Sequence, residues 1–498
     1  MSNQWSSNPG GAPPTPPSVP AGWSVSTAPT QPPSYGAGPP MPQLPQPYER
    51  KPPSRTALII ASMALVILIL AAGLAFVAFR RSDESASTTA STTTTAPSTS
   101  TTKKPATTTT PTAPTTPVAP APSTPPTTRV PTTTVPAGPI PTQAEVEAAV
   151  ADISAFVAKE RGLPFKNPVK VELVGDDDFN ARLLKDFDKE QATIERDGKL
   201  LKALGLVDPG LNITDTMKSL LSAGVLGFYD PETKALVVRG HALTPYIKQT
   251  IAHELTHALD DQYFDLNRKD LDDKKDESVF GFQATVEGNA RRIESAYVKA
   301  MSAADKQARD DEEAAYGMSQ ADVLSALPPI LINIISSPYD YGQPFVTATV
   351  AQGGNDLLAS ALATPPVTSA QVMHPTKFFT HVAPVPVDKP KAEGKELDDR
   401  MFGELMTALT LNDGAPSEAA KAADGWAGDW YVLWDDGQNG SCVRIDYRMT
   451  TSKELDEIEH AFKTWQQKHK NADIQRTKDG LQVTSCSSAA SGGGRSPA

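Results

Sequence analysis

The segment "ALIIASMALVILILAAGLAFVAF", Ala57–Phe79, divides this chain before any other feature is weighed. It runs for 23 residues with no charge and a single serine. As a helix rising about 1.5 Å per residue it covers roughly 35 Å, enough to cross a hydrocarbon core of about 30 Å. A cleaved signal peptide fits poorly, because the run is too long and begins only at Ala57. We read residues 56–80 as one uncleaved transmembrane helix, which leaves a segment on each side to be assigned separately.

Residues 1–55 are rich in Pro, Gly, Ser and Gln and cannot bury enough apolar surface to offset chain entropy; we read them as a disordered cytoplasmic tail. Residues 81–141 form a Thr/Pro-rich stalk of the kind found outside cells. Fully extended as polyproline at about 3.1 Å per residue, it would reach on the order of 180 Å. Arg50, Lys51 and Arg55 precede the span and Arg80 and Arg81 follow it, a thin margin for orientation by charge. The stalk therefore sets the expectation: N-terminus inside, the remainder extracytoplasmic. Cys442 and Cys486 are the two cysteines, compatible with one disulfide in an oxidising compartment, with two buried thiols as the alternative. A net charge of −12 argues against a nucleic-acid partner.

Periodic pattern begins at Thr142, where Glu145 completes a capping signature and Val146, Val150, Ile153, Phe156 and Val157 fall at helical spacing. "VKVELV" alternates as a strand, and a long helix is expected from about 178 to 204, ending at Gly205. "GVLGFYDPETKALVVRG" reads as strand, turn, strand around Asp230-Pro231-Glu232-Thr233. A helix then opens at Thr244 with Pro245 in its first position. A second runs from about Glu277 past Ala303. We assign residues 142–424 to one α+β domain, mainly helical with a small sheet. Residues 425–488 are a C-terminal α/β portion carrying the disulfide, and 489–498 a loose tail.

The first of these helices contains "TIAHELTHALDDQ", with His253 and His257 one turn apart on one face and Glu254 one step round. Two imidazoles so placed can reach one zinc ion at about 2.0–2.1 Å, and the carboxylate can take a proton from water activated by the metal. The spacing thus supplies metal binding and a general base from five residues. The competing reading is a core helix with two hydrogen-bonded histidines. A third protein ligand is required. Asp260, Asp261, Asp265, Glu277, Glu287 and Glu294 lie downstream, and Glu287 in "FQATVEGNARRIES" is the best placed, mid-helix beside Gly288, which would let that helix approach the first. Asp261, one turn beyond His257, could orient that histidine from behind.

The strand pair, the "HELTH" helix and the downstream "EG" helix resemble the gluzincin branch of the HExxH zinc metallopeptidases. The wording "GFYDPETKALVVR…HELTHALDDQYFDL…EGNA" is similar to uncharacterised bacterial, often membrane-anchored, zincin-like proteins. The resemblance implies His253, His257 and Glu287 as zinc ligands and Glu254 as base. It implies a zincin-like fold in which Ala235–Arg239 is the edge strand that pairs with extended peptide. It also implies an oxyanion stabiliser, for which Tyr339, Tyr341 and His374 are candidates. One departure stands out: the family's aspartate one turn after the ligand glutamate is here Arg291. The expectation is a single-pass, extracytoplasmic zinc metallopeptidase acting on peptide or protein substrates. The alternative is a zincin-fold envelope protein that binds or assembles without cutting. The sequence does not fix oligomeric state.

Overall fold

The structure, a computed structural model, describes residues 140–487 apart from 186, 438 and 439. The expected cytoplasmic tail, membrane span, C-terminal tail and all of the stalk but its last two residues lie outside the described residues. Among the described residues no helix is long and apolar enough to cross a membrane. The architecture is mixed α+β, with helices around two small sheets.

Helix α1 (Gln143–Arg161) starts where Thr142 and Glu145 cap each other, and stops at Gly162, whose φ of 71° is the left-handed conformation of a helix end. It buries Val146, Val150, Ile153 and Val157. Strand β1 (Lys170–Val174) follows. The single long helix expected after it is two, α2 (Asp176–Leu183) and α3 (Phe187–Ala203). Phe179 and Leu183 of α2 and Phe187, Ile194 and Leu201 of α3 are buried in one and the same core. Helix α4 (Ile213–Gly224) leads to β2 (Gly227–Asp230) and β3 (Ala235–Arg239). Their turn is built by Asp230, whose carboxylate accepts from the Glu232 amide at 2.8 Å and the Thr233 hydroxyl at 2.7 Å.

The first sheet has the order β1-β3-β2, parallel on one side of β3 and antiparallel on the other. This corrects one expectation. Ala235–Arg239 is the central strand, with both its edges already paired, so the edge next to the hairpin belongs to Gly227–Asp230.

Helices α5 (Pro245–Phe264), α6 (Ser278–Ala300), α7 (Ala303–Ser325) and α8 (Pro329–Ala363) form the body of the site region. Helix α8 bends at Gly353 and Gly354, whose backbones leave the helical range. Short helices α9 (Ser369–Met373) and α10 (Pro375–Phe379) connect to a five-stranded antiparallel sheet. Its strands are β4 (Lys395–Arg400), β5 (Trp426–Asp435), β6 (Ser441–Met449), β7 (Ala472–Arg476) and β8 (Leu481–Cys486), in the order β4-β5-β6-β8-β7. Helices α11 (Gly403–Gly414), α12 (Ala419–Asp424) and α13 (Ser452–Gln466) pack with it. Strand β4 comes from before residue 425, so the sheet draws chain from the segment assigned to the preceding domain. Moreover, one apolar cluster runs from Phe179 and Leu201 through Ile330 to Tyr447 and Trp465. Cys442 and Cys486 face each other across β6 and β8 and are joined by a disulfide.

Candidate metal centre

Helix α5 is started locally: Thr244 accepts from the Ile247 amide at 3.2 Å, and Pro245 occupies a position whose N–H would have no partner. Its apolar residues Ile251, Leu255 and Leu259 are fully buried in a cluster with Leu236 and Val238 of the sheet. That packing turns the opposite face toward α6 and α8, and His253 and His257 lie on it. On α6, Glu287 and Glu294 stand two turns apart.

The acceptor and donor atoms converge. Glu287 Oε2 is 3.2 Å from His253 Nε2 and 3.4 Å from His257 Nε2. Ligands held tetrahedrally at about 2.0–2.1 Å from one ion are themselves about 3.3–3.4 Å apart, so these separations fit a shared zinc ion. His253, Glu254 and His257 also bring one ligand atom each within 4.8 Å of the others. Between Glu254 and Glu287 as third ligand, the shorter contacts favour Glu287. All four side chains are essentially buried, His257 being 4 % exposed and the others 0 %. Both His257 ring nitrogens and Glu287 Oε1 are buried without a hydrogen-bond partner, and both Glu254 oxygens without a side-chain partner, a costly arrangement for groups that only fill space. The donor set suits zinc.

The electrostatics follow from this crowding. Burial pushes Glu254 up to about 7, against the pull of the two histidines. Burial opposes a charged His253, but Glu287, Glu294 and Glu254 outweigh it and hold the ring up at about 10. Burial would likewise raise Glu287, yet His257 and His253 keep it below its ordinary value.

His253 is oriented from behind by Glu294, whose Oε2 lies 3.0 Å from Nδ1. The other oxygen of Glu294 accepts from Gln249 and, at 2.7 Å, from Arg291. Arg291 thus holds the acid that supports the histidine rather than supporting it itself. Asp261, expected in the supporting role, is elsewhere: it accepts from the Tyr229 hydroxyl (2.7 Å), Lys234 Nζ (2.6 Å) and the Leu266 amide (3.0 Å), tying the hairpin to α5. The signal for Glu294 was its seven-residue spacing from Glu287, which repeats one helix face.

The other acids are also committed. Asp260 binds Arg161 Nε at 2.7 Å and Asn289 Nδ2 at 2.6 Å. Asp265 caps the end of α5, and Glu277 accepts from the Ser369 amide and hydroxyl. Of the three oxyanion candidates, Tyr339 alone adjoins the centre, its ring stacked on His253 with centroids 6.2 Å apart. Tyr341 packs beside Phe345, and His374 contacts Glu404 at 2.6 Å and Asp424 at 3.3 Å. Gly288 does mark a close helix crossing, but its partner is Gly342 of α8 rather than α5.

No protein-family model matches the chain, and no curated protein matches it. A solved structure from Chloroflexus aurantiacus, described as "a putative hydrolase with a novel fold", aligns at a TM-score of 0.34 and 17 % identity, over 50 % of this chain and 92 % of that one.

Proposed function

We propose that this chain is a zinc-dependent hydrolase of peptide bonds with a zincin-like catalytic centre, carried outside the cytoplasm on a single membrane helix. The observation that carries the reading is the convergence of Glu287 Oε2 on both imidazoles at 3.2 and 3.4 Å. His253, His257 and Glu287 would hold the ion, and Glu294, 3.0 Å from Nδ1, would fix the His253 tautomer by accepting there. A zinc ion held there supplies Lewis acidity toward water and toward a substrate carbonyl. Glu254, raised by burial, hydrogen-bonded by the Tyr229 backbone and engaged by no side-chain hydrogen bond among the described residues, would take a proton from the attacking water and return it to the leaving amine. Tyr339 is the residue best placed to face the developing oxyanion.

Zinc analysis of the purified protein tests the ligand assignment, with His253→Ala as comparison: stoichiometric zinc that survives the substitution defeats it. Glu254→Gln should retain zinc and lose hydrolysis; an active variant removes Glu254 as base. A second reading, a zincin-fold envelope protein that binds or assembles with little hydrolysis, is favoured by the burial of all four site residues, which leaves little room for a scissile carbonyl to reach them. Screening a peptide library for cleavage, with and without chelator, separates the two: chelator-sensitive cleavage supports the hydrolase, and none supports the binder.

A further inference from the structure

His374 takes no part in the metal centre, and its surroundings have a chemistry of their own. It lies between α9 and α10, and its Nε2 faces carboxylate oxygens from two further helices. Glu404 Oε1, in the first turn of α11, is 2.6 Å away, and Asp424 Oδ1, at the end of α12, is 3.3 Å away. The three donor atoms all lie within 4.8 Å of one another. Two of the three residues are set in place by the fold. The Leu405 amide donates to Ser369 Oγ at 3.1 Å, which ties α11 to α9. Asp429 accepts from the Phe402 amide at 2.7 Å and the Gly403 amide at 2.9 Å, which fixes the start of α11 and leaves Glu404 buried.

Hydrogen bonding accounts for one of these contacts and leaves the other over. Nε2 carries at most one hydrogen, and at 2.6 Å that hydrogen belongs to the contact with Glu404. Asp424 makes no hydrogen bond among the described residues, yet its Oδ1 stands 3.3 Å from the same nitrogen. Lys377 Nζ reaches Glu404 at 3.2 Å, but through Oε2, so Oε1 stays turned to the imidazole. Two carboxylates against one ammonium leave a net negative charge when the imidazole is neutral. A ring nitrogen and two carboxylate oxygens aimed at a common point are what a cation needs.

We propose that His374 Nε2, Glu404 Oε1 and Asp424 Oδ1 form an exchangeable cation site that takes manganese(II). Around an octahedral ion with bonds of about 2.0–2.1 Å, neighbouring donors stand about 2.9 Å apart, and the two separations here fall on either side of that value. Two carboxylate oxygens, with water completing the shell, suit a hard divalent ion, and the imidazole favours manganese over magnesium or calcium. The His374 and Asp424 side chains are 31 % and 68 % exposed, so the ion reaches solvent and leaves during purification. The zinc content of the isolated chain is therefore set by the His253 centre alone. None of the three residues is a proposed zinc ligand, so the site does not rest on that reading.

Manganese titrated into the purified full chain, carrying no histidine tag, tests this by electron paramagnetic resonance, because the signal of the free ion falls on binding. Saturable binding of one ion per chain is expected. Removing a group that merely supports a metal ligand costs about 10–100-fold in affinity, so Asp424→Asn and His374→Ala should each weaken manganese at least roughly tenfold. Asp424 is exposed at a helix end, so its substitution leaves the core untouched. Magnesium at equal concentration should not displace manganese, since it gains little from an imidazole. Absence of saturable binding would mean that His374 is a protonated ring shared by the two carboxylates. That result, an affinity that survives either substitution, or displacement by equimolar magnesium would each overturn the proposal.

Discussion

Replacing Gly288 by alanine probes how Glu287, the proposed third ligand, is held in place. A Cβ on Gly288 would lie 2.2 Å from the carbonyl oxygen of Gly342, 2.3 Å from its carbonyl carbon and 2.9 Å from the Gln343 amide nitrogen. These are backbone atoms of α8, so no side chain can rotate aside. Restoring ordinary contact requires α6 and α8 to part by on the order of 1 Å. Overpacking of this kind typically costs about 1–3 kcal/mol, and the rigid neighbours place Gly288→Ala at the upper end, about 3 kcal/mol. The second consequence is specific to the site. Glu287 is the adjacent residue, and metal–ligand distances tolerate only about 0.2 Å. Zinc affinity should therefore fall at least roughly tenfold along with stability.

Urea unfolding gives the first quantity and competition against a chromophoric chelator the second. Gly354→Ala is the control: at φ +64° and ψ −162° it sits in a region essentially confined to glycine, a strain of about 1–3 kcal/mol, but nothing lies within 4 Å of the new atom, so zinc affinity should hold. If Gly288→Ala unfolds within about 0.5 kcal/mol of the parent and binds zinc as tightly, the helix crossing does not position Glu287 and the reasoning fails.

Three further predictions follow from other parts of the structure. Glu294→Gln removes the charge that faces His253 Nδ1 and should weaken zinc about 10–100-fold in the same competition assay; unchanged affinity would show that Glu294 does not support the histidine. Burial raises Glu277 to about 8, so from its ordinary 4.5 up to that value the unfolded chain ionises while the folded one keeps its proton, and stability drains as pH rises. Glu277→Gln should match the parent near pH 5 in denaturation midpoint and exceed it by pH 8; parallel profiles would refute the assignment. The Cys442–Cys486 bridge closes a separation of 44 residues, for which loop-closure entropy gives about 4 kcal/mol. The double serine variant should lose about that much stability, measured by denaturation, and keep its zinc; loss of the metal would mean that the C-terminal sheet holds the site.

Much of the site was legible because its signals are local. Thr244-Pro245 announces a helix start, and one-turn spacing places His253 and His257 together whatever surrounds them. Glu287 needed a second helix, but its neighbour Gly288 marked a crossing. What sequence could not supply was the identity of partners. Spacing puts Asp261 on the face of His257, yet the hairpin brings Tyr229 and Lys234 to claim it. A glycine signals close approach without naming the approaching chain, so Gly342 went unseen. Strands β4 and β7 were missed because they are the outer strands of their sheet, where exposed charge such as Lys395 and Arg476 replaces apolar alternation. The central position of β3 was likewise invisible, since it depends on β1 pairing from more than sixty residues away.

The most direct test of the account is X-ray absorption at the zinc edge of the purified full chain, compared with Glu287→Ala. The account predicts one zinc per chain with two imidazole nitrogens and a carboxylate oxygen at about 2.0–2.1 Å, and loss of that oxygen, with most of the metal, in the variant. Zinc without imidazole scattering, or an identical spectrum and content in Glu287→Ala, would contradict it.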